Sequence, residues 1–167
     1  MVAVTPPPAP EVLVVVVVGG VVMSRSDKPA TTAMKRQVIT FSTDTPDEEK
    51  PDKDFRWSGA ATDPKTISLP TIATEGFVQN VGVDQKKAVA VPNNIHMAGW
   101  FVDTVVPGAQ GLSVIDGHVS GRKNDGIFKN LAKLKKGDQL SITFAVLADS
   151  NSEYYNNFAN SFSIAVL

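Results

Sequence analysis

The sequence predicts an all-β domain, a barrel or sandwich of short strands, and three observations carry that prediction. From about Thr66 onward, short apolar runs recur: Ile67 to Leu69, Phe77 to Val83, Ala88 to Val91, Trp100 to Val106, Leu112 to Ile115 and Leu140 to Leu147. Turn signals fall between them at Pro92-Asn93-Asn94, Pro107-Gly108, Gly117, Asn124-Asp125-Gly126 and Gly137-Asp138, a spacing that suits a barrel or sandwich. In the last run Leu140, Ile142, Phe144 and Val146 alternate with Ser141, Thr143 and Ala145, as a half-buried strand requires. One segment departs from this texture. Phe128, Leu131 and Leu134 recur every third residue among Lys129, Lys133, Lys135 and Lys136, which predicts a short helix near 127–135 packed on the barrel, with the lysines solvated and Gly137 as its stop.

Four regions precede and follow these elements. Residues 1–23 form an apolar leader or degenerate membrane anchor. Val12 to Met23 carries no charge but is broken by Gly19 and Gly20, and it falls short of the roughly 20 apolar residues of a full span. Basic residues follow this run rather than precede it, the reverse of the arrangement that leaves the rest of a chain outside. Residues 24–65 are a polar linker, rich in Ser, Thr, Pro, Asp and Lys, with only Val38, Ile39, Phe41, Phe55 and Trp57 as bulky apolar side chains before the strands begin. Such composition buries too little surface to offset ordering entropy. Residues 66–147 hold the barrel. Residues 148–167 are an atypical tail whose apolar finish, Phe162 to Leu167, can form a last strand against an open edge.

Composition excludes several function classes. A formal net charge of −1 offers no basic face for nucleic acid. The chain has no cysteine, so it has no disulfide, thiolate zinc site or thiol nucleophile. Its two histidines, His96 and His118, cluster with no carboxylates, and no dedicated metal site is expected.

Six pieces of the chain then fall into a recognisable order: Leu69-Pro70-Thr71-Ile72; Pro92 to Phe101, ending in Gly99-Trp100-Phe101; Pro107-Gly108 with Gly111; Leu112 to Val119, containing Gly117-His118; Gly126-Ile127-Phe128 with Leu131 and Leu134; and Gly137-Asp138-Gln139-Leu140. In this order and spacing the segment from about 69 to 144 resembles a sortase, closest to the class F type. The resemblance implies a closed eight-stranded barrel and a cofactor-free cysteine transpeptidase at the bacterial cell surface, membrane-anchored or extracellular. In that family a thiolate attacks the Thr–Gly carbonyl of an LPxTG-like sorting-signal peptide, and an envelope amine resolves the acyl-enzyme. A histidine serves as general acid and base, and an arginine steadies the oxyanion.

Of those three catalytic positions only His118 is matched. It follows an apolar strand and Gly117, so its ring is expected to project from the barrel rim into a cleft, where an imidazole can exchange protons near neutrality. Asp116 and Arg122 flank it and could tune its pKa; Arg122 does not sit where the family places its arginine. His96 reads as structural and Trp100 as core or cleft wall. The family's cysteine motif, T-x-T-C-like, and its later arginine do not occur after His118, and the match fades near Phe144. The chain is therefore expected to be an inactive sortase, truncated or frame-shifted, with unpaired sheet edges and marginal stability. The alternative is a non-catalytic surface module that binds a sorting signal or another protein. A hydrolase pairing His118 with Ser113 or Ser120 has no supporting spacing.

Overall fold

The computed structural model describes residues 12–19, 38–52, 54–109, 111–144 and 163–166, the first and last of these as backbone only. Among these residues seven strands are formed: β1 (Val12–Gly19), β2 (Pro64–Leu69), β3 (Thr74–Val81), β4 (Ala98–Phe101), β5 (Gly111–His118), β6 (Ser141–Phe144) and β7 (Ser163–Val166). They join one curled sheet in the order β6-β2-β3-β4-β5-β1-β7. All neighbours are antiparallel except β3 and β4, which run parallel with Val78 opposite Ala98 and Val81 opposite Phe101. The architecture is an all-β half-barrel, within the all-β class that the apolar spacing predicts.

Strand alternation sends one set of side chains inward. Ile67 and Leu69 from β2, Val78 from β3, Ala98 and Trp100 from β4 and Ile115 from β5 are almost fully buried in one core. Trp100 is wholly enclosed, and its indole N–H donates to the carbonyl of Val105 at 3.3 Å. It is a core residue.

The lid of this core is the segment expected as a short helix. It is a chain of tight turns ending in a single 3₁₀ turn, Leu131–Lys133. Its amides reach back three residues, from Lys129 to Gly126, Leu131 to Phe128 and Leu134 to Leu131. The apolar spacing of three explains the choice: at three residues per turn Phe128, Leu131 and Leu134 eclipse on one face, and all three are buried. The four lysines among them stay exposed. Gly137, with φ +100°, turns the chain into β6.

The polar stretch before β2, in its described part, lies against the sheet. β2 pairs only with residues 74–77 of β3, which leaves the rest of that edge open. Ile39 fills it, accepting from the Gly82 amide at 2.7 Å and donating to the Asn80 carbonyl at 3.2 Å. The Trp57 indole N–H donates to Val78 O at 2.9 Å, and the Phe55 ring packs 4.7 Å from that of Phe77. Asp47 pairs with Asn94 in an isolated bridge. Composition counts too few apolar residues here to form a core. Docking instead rests on backbone groups that the sheet edge leaves without partners.

Candidate functional site

β5 delivers Asp116 and His118 to the same face, two residues apart, while Ile115 and Gly117 face the core. Gly117 makes room beneath the histidine: a Cβ there would lie 2.7 Å from the Phe128 ring. The Phe128 amide then donates to the His118 carbonyl at 2.9 Å, tying the end of β5 to the turn that lids the core. This is the local reason for a glycine before the histidine and a phenylalanine ten residues after it.

The His118 ring is not presented to an open cleft, which corrects the sequence expectation. It is 1% exposed, and Nε2 stands 2.8 Å from the carbonyl oxygen of Pro92. A carbonyl only accepts, so Nε2 carries the hydrogen and the neutral ring leaves Nδ1 bare. Nδ1 is buried without a hydrogen-bond partner among the described residues. Burial lowers the pKa of the imidazole below its usual value, and the bond to Pro92 opposes that in part. The expectation failed because the turn Pro92-Asn93-Asn94 does not stop at the rim. It folds back across the strand end, held by the Asp47 carbonyl accepting from the Ile95 amide at 2.9 Å.

Asp116 shares this enclosed space. It is 1% exposed, and neither carboxyl oxygen has a partner beyond its own residue among the described residues. Burial pushes its pKa up to about 8, against a smaller lowering by its own backbone amide. Gly99, opposite it on β4, has no side chain because the carboxyl group fills the place of a Cβ. At neutral pH the two polar side chains of this face are thus both held uncharged.

Arg122 belongs elsewhere. Its amide donates to Glu48 Oε1 at 2.6 Å, and the amides of Lys123 and Asn124 donate to Glu48 Oε2 at 3.0 and 3.1 Å. These bonds, led by that of Arg122, hold the Glu48 carboxyl below its usual range. Among the described residues the Arg122 guanidinium reaches the Asp44 carbonyl, at 3.4 Å. His96 is structural as read: its amide donates to Asn94 Oδ1 at 2.8 Å and Nε2 lies 3.1 Å from Glu48 O. Ser113 is five residues from His118 on β5, hence on its opposite face, and among the described residues no hydroxyl bonds the His118 ring.

Sequence reasoning missed Pro92 and Glu48. Both act through oxygen atoms on partners 26 and 74 residues away, and no periodicity marks such contacts. Among the described residues no cluster of His, Asp or Glu could hold a metal ion, and no helix is long and apolar enough to cross a membrane.

A family model described as Sortase domain matches residues 67–156, more than half of the chain and a stretch that runs from the second half of β2 through β6 and includes Pro92, Asp116 and His118. No curated protein and no solved structure matches the chain.

Proposed function

The chain belongs to the sortase family, and from that premise we propose that it is a class F-like sortase module of the bacterial envelope that engages LPxTG-type sorting signals without cleaving them on its own. The observation that carries this reading is His118, placed by Gly117 at the end of β5 with one nitrogen protonated and the other bare. The bare nitrogen can take a proton from an incoming amine, and the imidazolium so formed can give one to a leaving amine. It is the general acid/base of the family's reaction.

The other half of that reaction has no group here. Acyl transfer needs a thiolate to attack the Thr–Gly carbonyl, and the chain has no cysteine. The oxyanion needs a positioned donor, and Arg122, the last arginine, is tied to Glu48 and Asp44. His118 must also release Pro92 before it can face a substrate. A bound peptide that offers the Pro92 carbonyl another donor, and the imidazole another partner, would stabilise that opened arrangement.

The test is an LPxTG peptide labelled for fluorescence anisotropy, mixed with the purified chain and an oligoglycine amine, with the peptide mass read after prolonged incubation. Saturable binding and an intact peptide are expected. Cleavage between Thr and Gly that disappears in His118→Ala would overturn the claim that no other nucleophile serves. Absence of binding would remove the sorting signal as ligand.

A further inference from the structure

We propose that the outer edge of β5 is a strand-acceptor site which β1 of a second copy can fill in place of β1 of the same chain, giving strand-exchanged dimers. The two edges of β5 are built differently. On the β4 side only Ile115, Asp116 and Gly117 have strand partners, and the Val105 amide and Thr104 hydroxyl extend that side by bonding to Leu112 O and to the Val114 amide. On the other side β1 pairs with all eight residues, from Val12 opposite His118 to Gly19 opposite Gly111. A bare edge of that length would present a row of unsatisfied N–H and C=O groups to other chains.

β1 is bound to the rest of the sheet through this edge alone. Among the described residues its strand partners are β5 and β7, and β7 in turn pairs with β1. Both outer strands come from parts of the chain remote from β5 in sequence. Between Gly19 and Val38 stand residues 20–37, a length that spans at most roughly 60 Å. That exceeds the diameter of a domain whose radius of gyration is about 13 Å. The same register therefore closes within one copy or between two, with the same backbone hydrogen bonds in either case. Exchange of an identical element is a low-cost route to a dimer, and its balance is set by the intramolecular effective concentration, on the order of millimolar. In the exchanged dimer Val12 of one copy stands opposite His118 of the other in the strand register.

The absence of native cysteine makes the test clean. Val18 is the register partner of Leu112 in the β1–β5 pairing, and Leu112 is 48% exposed, so cysteine at Leu112 disturbs no buried packing of β5. Chains carrying Val18→Cys and chains carrying Leu112→Cys are mixed unfolded, refolded together at about millimolar and at about a hundredfold lower concentration, then oxidised. The expected result is a disulfide between the two kinds of chain, identified by mass, whose yield falls at least about tenfold on dilution. The doubly substituted chain should close its disulfide internally at the low concentration, and light scattering should show the unoxidised dimer shrinking when Val15→Pro interrupts β1. Internal closure without any mixed disulfide at the high concentration would show that β1 stays in its own chain and overturn the proposal. Failure of the doubly substituted, folded chain to close at all would overturn it too, by removing the β1–β5 pairing on which it stands.

Discussion

Replacing Asp116 by Asn should make the protein more stable at neutral pH and leave it unchanged in acid. The wild-type carboxyl is buried without an outside partner and has its pKa raised from 3.8 to about 8. Below the lower value both folded and unfolded chains hold the proton, and Asp116 has no effect on the balance. Above it the unfolded chain ionises while the folded one does not, so stability is lost as pH rises until the folded carboxyl itself ionises near 8. The slope is about 1.4 kcal/mol per pH unit, or about 3 kcal/mol between pH 5 and pH 7. That is a large part of the roughly 5–15 kcal/mol available to a domain. Asn is neutral at every pH and keeps the shape. Urea unfolding of both proteins from pH 4 to pH 8 measures the effect, and subtracting the curves cancels what His118 and Glu48 contribute on their own. The Asp116→Asn advantage should grow steadily with pH across that window. Parallel curves would refute the reasoning, since they would mean that Asp116 has a charge partner in the folded protein.

Other expectations follow from the same contacts. Gly117→Ala drives a methyl group into the Phe128 ring and should cost about 1–3 kcal/mol, read as a lowered urea midpoint with an unchanged slope. Glu48→Ala should speed amide hydrogen exchange at Arg122, Lys123 and Asn124, which share its carboxylate. In the wild type the same amides should lose protection only as pH falls below 4.5, because the lowered pKa of Glu48 keeps its charge, and those bonds, above that point.

Much of this fold was legible because it is built of short apolar runs that stop at Gly, Pro, Asn and Asp, the last of them alternating at a period of two. On that basis Ile67, Leu69, Trp100 and Ile115 fall within strand runs, Trp100 reads as core or cleft wall, and His118 could be placed at a strand end. What pattern could not supply is the closure of the site. Whether a histidine after Gly117 faces solvent or a carbonyl depends on where Pro92 folds, and that is a tertiary fact. The run Val12 to Met23 shows the same limit from the other side. Apolarity suits a membrane as well as a sheet, while β-branched valine favours extended backbone; the residues 12–19 form β1. The segment from Val38 to Asp63 looked like solvated linker because its attachment uses single side chains, Trp57 and Glu48 among them, on backbone groups.

The account stands most directly on His118, and nitrogen-15 NMR of the two imidazoles reads it. Without ligand, His118 should show a protonated Nε2 and a bare Nδ1, and it should remain neutral at pH values where a free histidine is charged. Added LPxTG peptide should shift those resonances saturably, with the peptide recovered intact and His96 unmoved. A His118 that titrates as a free imidazole, or one indifferent to saturating peptide, would contradict the site described for this chain.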